Sequence, residues 1–285
     1  MSQPLTFVRS FDPASITTLL LDADDNLFPS EAPAFDASAD VTTRFLARFG
    51  VTAPLSGDEL RRKAVGKNFR STATDLAVLS GVPFEKALAD GRPDAVVASD
   101  ADVASGRALT ADELEQWVRQ EREQVTAHLA VTLKPDPEVL TPLQDLASRF
   151  AMAAVSSSAL PRLKASFTAA GLDVLVPEAV RFSAEDSLPV PTSKPDPAVY
   201  LHAGRVLGVE GPHGLAVEDS VPGVTSAVAA GYFAVGNVMF VPADERQSRS
   251  TELIDAGAVA VTDSWRALAD ALILSAVAGG GSALI

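Results

Sequence analysis

The chain has 285 residues, of which 47% are hydrophobic and 21% are charged. This composition excludes a disordered protein, and the length allows one large domain or a domain with an insertion. The 37 acidic residues outnumber the 23 basic residues and give a formal net charge of −14. Such an excess of negative charge argues against a protein that binds nucleic acid or anionic membranes.

Cysteine is absent, which excludes disulfides, thiolate metal sites and a cysteine nucleophile. The first residues do not combine a basic stretch with an apolar core, so we expect no secretory signal and a cytoplasmic protein. The uncharged C-terminal run, Ala271 to Ile285, is too short to span a bilayer. We interpret it as a terminal helix followed by a glycine-containing tail.

Short apolar runs, most of them followed by polar residues, predict buried parallel strands. These runs are Ile16–Leu21, Ala151–Val155, Gly214–Val217, Phe233–Val235 and Ala258–Thr262. Helical segments follow the second and third runs, at Pro161–Ala170 and Val224–Ala230, and each ends at a glycine. Strands that alternate with helices predict an α/β fold with a doubly wound, Rossmann-like parallel sheet, whose ligand site lies beyond the carboxyl ends of the strands.

A long helical stretch separates the first and second predicted strands. It contains the amphipathic segment Val41–Phe49, and Thr110 with Glu113 resembles a capping box before a long helix. The stretch is too long for a simple crossover between strands. We therefore expect an inserted helical domain at residues 30–132 and an α/β core domain formed by residues 1–29 and 133–285.

Three of the predicted strands end in residues that can carry chemistry. Asp22-Ala23-Asp24-Asp25 follows the first run, Ser156-Ser157-Ser158 the second and Glu218-Asp219 the third. A doubly wound sheet collects such side chains at one edge, although they are far apart in sequence. Two aspartates in one turn are common in proteins, so the argument depends on the combination.

These residues, together with a lysine, resemble the four ordered motifs of the haloacid dehalogenase (HAD) superfamily. Asp22 to Phe28 is similar to the first motif, Asp-x-Asp-x-Thr/Val, with Asn26 at a position that is usually Thr or Val and chiefly shapes the turn. Ser156 fits the second motif, Lys194 in Thr-Ser-Lys-Pro-Asp-Pro the third, and Glu218-Asp219 the fourth. The helical insertion resembles the cap domain of the subfamily that includes β-phosphoglucomutase and phosphoglycolate phosphatase.

The resemblance implies phosphoryl transfer through an aspartyl-phosphate. Asp22 would be the nucleophile, and Asp24 would protonate the leaving oxygen and then deprotonate the attacking water. Ser156, helped by Ser158, would bind phosphoryl oxygens. Lys194 would neutralise the charge shared between Asp22 and the phosphoryl group.

The five carboxylates of the first and fourth motifs cannot share one sheet edge as bare anions, because each like-charge pair near 4 Å costs roughly 4 kcal/mol at an effective dielectric near 20. A hard divalent cation resolves the repulsion, and oxygen ligands favour Mg²⁺. The resemblance implies that Asp22 and Asp219 bind it through carboxylates and Asp24 through its backbone carbonyl, with Glu218 binding directly or through water. For Asp25 we favour a role as a cap of the next element.

The segment Arg61–Arg70 contains five basic residues and no acidic residue. One interpretation is the solvated face of a helix whose acidic start, Asp58-Glu59, balances it. The other takes Gly66–Arg70 as similar to the cap segment that contacts substrate in β-phosphoglucomutase-like proteins. Lys67 and Arg70 would then grip the leaving group or a second anionic group of the substrate. The cap would exclude water and select the substrate as it opens and closes.

The histidine and tryptophan side chains do not indicate a further catalytic or metal site. His128, His202 and His213 have no metal-binding spacing, and Trp117 and Trp265 are interpreted as packing residues.

We expect a Mg²⁺-dependent phosphatase that acts on a small phosphorylated metabolite, a sugar phosphate or an organic acid phosphate. A β-phosphoglucomutase-like phosphomutase is the alternative, because the same core motifs serve both reactions. A catalytically silent binding protein is less favoured, because every charged catalytic position is present. We also expect a monomer that binds neither nucleic acid nor membrane.

Overall fold

The computed structural model of the protein describes residue 5, residues 7–64 and residues 68–279. The predicted substrate contact Lys67 and the end of the C-terminal tail therefore lie outside the described residues. The chain divides into two compact units, one formed by Met1–Ser30 and Leu133–Ile285 and the other by Glu31–Thr132.

Strands and α-helices alternate along most of the described chain, and both are numbered in chain order. The strands are β1 (Thr18–Leu21), β2 (Pro83–Phe84), β3 (Val96–Val97), β4 (Ala151–Ser156), β5 (Arg181–Ser183), β6 (Gly214–Glu218), β7 (Phe233–Asn237) and β8 (Ala260–Thr262). The helices are α1 (Glu31–Arg48), α2 (Gly57–Lys63), α3 (Phe69–Leu79), α4 (Lys86–Ala89), α5 (Asp100–Ala104), α6 (Ala111–Thr132), α7 (Pro137–Ala147), α8 (Leu160–Ala169), α9 (Ala198–Leu207), α10 (Val221–Ala229), α11 (Arg246–Asp255) and α12 (Trp265–Gly279).

The first unit contains a six-stranded parallel sheet with the order β5-β4-β1-β6-β7-β8. Strand β1 lies in the middle, where Leu21 pairs with Ala154 of β4 on one side and with Val217 of β6 on the other. All four residues of β1 are buried, as expected for a parallel strand that is covered on both faces. The predicted Rossmann-like α/β fold is confirmed.

All five apolar runs form strands, but β5 was not predicted. It has three residues and begins with Arg181, so it lacks the apolar run by which the other strands are recognised. Its place is set by pairing with the end of β4, where Ser156 lies opposite Ser183.

A hydrophobic core fixes the sheet against its helices. Leu20 of β1 and Val155 of β4 belong to the same buried cluster as Val199 of α9, Val224 of α10 and Leu253 of α11. Each such side chain contributes about 1.5–3 kcal/mol on full burial. The carboxyl ends of β1, β4 and β6 are therefore held in a fixed register.

The second unit is helical except for a two-stranded ladder of β2 and β3. It has its own core, in which Phe45, Leu60, Phe84 and Leu109 are buried. The hydroxyl of Thr110 accepts a hydrogen bond from the Glu113 N–H at 3.2 Å, as the sequence pattern before α6 predicts.

Among the described helices, none has the combination of length and hydropathy that crossing a membrane requires.

Candidate active site

The loop after β1 brings three aspartates, Asp22, Asp24 and Asp25, to the carboxyl edge of the sheet. Asp22 is buried and its N–H donates to the carbonyl of Val217 in β6 at 3.0 Å. Asp25 has a φ of +52°, a left-handed conformation that aspartate tolerates better than most residues. Its carboxylate accepts the N–H of Ser30 at 2.8 Å, directly before α1 begins. The turn that follows Asp24 is closed by the Asp25 N–H, which donates to the carbonyl of Phe28 at 3.0 Å.

Lys194 connects the four motifs. Its ammonium donates to Asp22 Oδ1 at 2.5 Å, to Glu218 Oε1 at 2.6 Å and to the carbonyl of Val155 at 2.8 Å. Its backbone N–H donates to Ser157 Oγ at 3.1 Å. The side chain of Lys194 is almost completely buried, so the structure places a cation among carboxylates that come from β1 and β6.

Burial and charge set the protonation of this cluster. Burial opposes the charge of Lys194, yet Asp22 and Glu218 raise the pKa of Lys194 above its ordinary value. Burial raises the pKa of Glu218 to about 7, although Lys194 works in the opposite direction. Burial, followed by the charges of Asp22 and Glu218, also raises the pKa of Asp219 well above its ordinary value.

Asp22, Glu218 and Asp219 fit a metal ion. One carboxylate oxygen from each lies within 4.8 Å of the others. Glu218 Oε2 is buried and has no hydrogen-bond partner among the described residues. When all three carboxylates are ionised, as they are when a metal ion is bound, the one positive charge of Lys194 leaves the cluster acidic. Hard oxygen donors with excess negative charge match the preference of Mg²⁺.

Tyr200 is a site residue that the sequence did not reveal. Its hydroxyl donates to Glu218 Oε1, and its ring centroid lies 5.4 Å from Lys194 Nζ. Burial and the charge of Glu218 raise the pKa of Tyr200 well above its ordinary value, so the hydroxyl keeps its proton and remains a donor. In the sequence, a tyrosine among the apolar residues of α9 cannot be distinguished from an aromatic residue of the core. Its role in the site could therefore not be predicted.

Asp24 is anchored by three donors. Ser30 Oγ and Ser158 Oγ each donate to its carboxylate at 2.6 Å, and Arg162 Nη2 donates at 2.8 Å. Burial favours the neutral acid, but the charge of Arg162 and these hydrogen bonds hold the pKa of Asp24 below its ordinary value. Ser158, predicted as a helper for phosphate, contacts Asp24 here, while the buried Ser156 accepts the N–H of Ser158 at 3.0 Å.

Arg162 was also missed by the sequence analysis. It lies in the first turn of α8, where a cation is unfavourable for the helix dipole. The ion pair with Asp24 explains its position, and an isolated arginine in a helix carries no sequence signal of that kind.

The helical unit contains one of the two predicted cap contacts. Arg70 is the second residue of α3, and its guanidinium is paired to both carboxylate oxygens of Glu115, with Nη2 2.8 Å from Oε2. Arg62 and Lys63 lie exposed at the end of α2, which agrees with the solvated-face interpretation for that part of the basic segment.

Comparison with known proteins identifies the family. The model of the haloacid dehalogenase-like hydrolases matches residues 16–231, a range that includes all four motifs. The chain matches no curated protein sequence.

Solved structures share the fold over almost the whole chain. A HAD family hydrolase from Deinococcus radiodurans R1 with bound phosphate and sodium is 22% identical, with a TM-score of 0.60 over 92% of this chain and 97% of that chain. A predicted phosphoglycolate phosphatase from Haemophilus somnus is 18% identical, with a TM-score of 0.62 over 90% and 97%. CbbY from Rhodobacter sphaeroides, in a complex with xylulose-1,5-bisphosphate, is 19% identical, with a TM-score of 0.59 over 88% and 95%.

The family match and the shared fold agree with the four motifs at the sheet edge. The resemblance on which the sequence analysis relied is thereby confirmed, and the chain belongs to the haloacid dehalogenase-like hydrolases.

Proposed function

We propose that the protein is a Mg²⁺-dependent phosphatase that hydrolyses a small phosphorylated metabolite through an aspartyl-phosphate on Asp22. The observation that carries the proposal is the buried contact of Asp22 with Lys194, beside two further carboxylates. Phosphate in the Deinococcus hydrolase and a sugar bisphosphate in CbbY support a phosphorylated substrate, either a sugar phosphate or an organic acid phosphate.

Asp22 is the nucleophile in this proposal. Lys194 binds one of its carboxylate oxygens, and the other oxygen attacks phosphorus as the bond to the leaving oxygen breaks. The ammonium also balances charge on the phosphoryl oxygens, which accept hydrogen bonds from Ser156 and, once its hydroxyl releases Asp24, from Ser158. Water then attacks the phosphorus of the aspartyl-phosphate, which releases inorganic phosphate and regenerates Asp22.

Asp24 is the proton carrier. In its anchored form it is a carboxylate, which is the form that accepts a proton from the attacking water. To protonate the leaving oxygen first, it has to take up a proton and exchange at least one of its three partners for that oxygen. Arg162 and the two serines therefore control when the acid is available.

Asp22, Glu218 and Asp219 would hold Mg²⁺ through their carboxylates, with the backbone carbonyl of Asp24 as a further ligand. Bound there, the ion would neutralise charge on the phosphoryl group and on the carboxylates around it.

The unit Glu31–Thr132 is proposed as the cap that selects the substrate, with Lys67 and Arg70 as its anion-binding side chains. Because Arg70 is already paired with Glu115, it has to exchange that carboxylate for the substrate anion. The monomeric state and the cytoplasmic location also remain predictions.

The test is a screen of phosphorylated metabolites for release of inorganic phosphate, with Mg²⁺ and with EDTA. We expect Asp22→Asn to abolish release, because an amide cannot attack phosphorus. Asp255→Asn, at the exposed end of α11, should keep full activity. Equal release by Asp22→Asn and wild type would refute the mechanism, and an isomerised sugar phosphate without free phosphate would identify a phosphomutase.

A further inference from the structure

The residue that departs from the family's first motif lies at the centre of a buried hydrogen-bond network. Asn26 is fully buried, and its Nδ2 donates to the carbonyl of Asp22 at 2.8 Å and to the carbonyl of Val217 at 3.0 Å. Its Oδ1 accepts Asn237 Nδ2 at 2.8 Å, and its backbone carbonyl accepts Trp265 Nε1 at 3.0 Å.

The two carbonyls that Asn26 binds belong to the site itself. One is the carbonyl of the nucleophile, and the other belongs to Val217, the residue directly before Glu218. One amide thus spans the ends of β1 and β6, which carry Asp22 and Glu218. The Thr or Val that is usual at this position could not replace it, because Thr offers one O–H donor and Val offers none.

Two further residues hold the amide in place. Asn237 is the last residue of β7, and Trp265 is the first residue of α12; both are buried. Asn237 Oδ1 also accepts the N–H of Met239 at 3.0 Å, which fixes the orientation of its own amide. The network therefore connects the ends of three neighbouring strands, β1, β6 and β7, with the start of the last helix.

We propose that Asn26, held by Asn237 and Trp265, is a positioning residue that sets the relative placement of the Asp22 and Glu218 carboxylates. This inference rests on the proposed function for its kinetic consequence, because a shift of the nucleophile by a fraction of an ångström lowers the rate of an in-line attack. Its consequence for metal binding is independent of turnover, because both carboxylates belong to the candidate Mg²⁺ site.

The experiment compares Asn26→Thr, Trp265→Phe and Tyr232→Phe with the wild type. Asn26→Thr removes one of the two side-chain donors, and Trp265→Phe removes the N–H but keeps an aromatic ring. Tyr232→Phe is the matched control, because its hydroxyl donates to the carbonyl of Val209 at 2.8 Å just before β7 begins, at the opposite end of that strand from Asn237. For each variant, kcat, KM, the Mg²⁺ dissociation constant without substrate and the urea midpoint are measured.

We expect Asn26→Thr to lower kcat about tenfold to a hundredfold with little change in KM. Its Mg²⁺ dissociation constant, measured by calorimetry, should rise about tenfold, and Trp265→Phe should shift both quantities in the same direction by less. Tyr232→Phe should lower the urea midpoint only. The proposal is overturned if Asn26→Thr resembles Tyr232→Phe, with lower stability but wild-type kcat and Mg²⁺ affinity.

Two outcomes separate this inference from the proposed function. If the wild type hydrolyses none of the phosphorylated metabolites in the screen, the phosphatase proposal fails. The comparison of Mg²⁺ affinities still decides the role of Asn26 in that case. If Asn26→Thr does not fold, Trp265→Phe decides it, because wild-type kcat and Mg²⁺ affinity in that variant would contradict the proposal.

Discussion

Arg181 is a buried cation outside the site, and its partners differ from those of Lys194. Its guanidinium donates to Asp173 at 2.7 Å and to the carbonyl of Val176 at 2.9 Å, and it stacks on the ring of Phe167 at 4.2 Å. Only 2% of the Arg181 side chain is exposed, whereas 45% of the Asp173 side chain is exposed. The pair therefore anchors β5, the short strand at the sheet edge.

We expect Asp173→Asn to lower the free energy of unfolding by about 1–3 kcal/mol at pH 7, because it leaves a buried guanidinium without its charged partner. The range is below that for a fully buried pair, because solvent screens Asp173. Burial opposes ionisation of Asp173, but the hydrogen bond from Arg181 holds its pKa below 3.8. The stabilisation is therefore complete above pH 3.8 and disappears as the pH falls through the lower, folded-state pKa.

Urea unfolding of Asp173→Asn and wild type, at pH 7 and at values below 3.8, measures this difference. Glu178→Gln is the matched control, because its pair with Lys164 is exposed and should contribute less than about 0.5 kcal/mol. A difference for Asp173→Asn that stays constant down to acid pH would contradict the assignment to this ion pair.

The sequence predicted the residues of the candidate site that lie at the carboxyl ends of strands. Asp22, Ser156 and Glu218 could be found because an apolar run marks each strand and the motif order is specific. Arg162 and Tyr200 could not be found, because each is one residue in a helix and gains its role only through a partner distant in sequence. Trp265 was interpreted as packing, and its ring is buried, but its N–H also donates to the carbonyl of Asn26 in the loop after β1.

At the scale of elements, only two residues separate the end of β6 from the start of α10. Ser220 caps this helix through the Gly223 N–H at 3.2 Å. A Cβ added to Gly223 would stand 1.7 Å from Glu218 Oε2, so the glycine makes room for a site carboxylate. The helix can therefore follow β6 within a short turn without displacing Glu218.

We expect Gly223→Ala to weaken both phosphatase activity and Mg²⁺ binding about tenfold or more, because the added methyl group displaces the Glu218 carboxylate. Helix propensity alone would make the variant more stable, because alanine in a helix is about 0.5–1 kcal/mol more favourable than glycine. Any loss of activity or Mg²⁺ binding therefore has to come from the contact with Glu218. Activity assays and Mg²⁺ titration by calorimetry measure the effect.

Gly204→Ala is the matched control for this prediction. In α9 its Cβ would stand 1.9 Å from the Tyr232 hydroxyl, so it also overpacks a helix but does not touch a carboxylate of the site. It should lower the thermal midpoint and leave Mg²⁺ affinity unchanged. Wild-type Mg²⁺ affinity in Gly223→Ala would show that Glu218 tolerates the methyl group and would refute the steric argument.

The sequence predicted the strands that are buried on both faces, and it did not predict β5, which forms through pairing with its neighbour. The runs that form β1, β4 and β6 are apolar because these strands are covered on both faces. β5 contains Arg181 and Ser183 and becomes a strand only because β4 offers an unpaired edge. An edge strand of only three residues is too short to show a periodic pattern, so it cannot be recognised from the sequence.

At the scale of the whole molecule, part of the net charge of −14 comes from carboxylates that cluster at the carboxyl edge of the sheet. Asp22, Glu218 and Asp219 form a compact acidic group, in which Lys194 pairs with Asp22 and Glu218. Repulsion among these carboxylates opposes folding of the metal-free protein, and a bound divalent cation would remove it. The acidity that argues against nucleic acid as a partner is thus compatible with a phosphorylated substrate.

Asp219→Asn tests this coupling between charge, metal and stability. In EDTA we expect the variant to be about 1–3 kcal/mol more stable than the wild type, because it removes a half-buried carboxyl group whose ionisation the neighbouring carboxylates oppose. With Mg²⁺ at a hundredfold excess over its dissociation constant, the wild type should gain about 2.7 kcal/mol and the variant far less. Thermal unfolding in EDTA and in Mg²⁺ measures both effects, with Asp255→Asn as a charge-matched control on the surface. If Mg²⁺ raised the midpoints of wild type and Asp219→Asn equally, the ion would bind elsewhere and this cluster would not be its site.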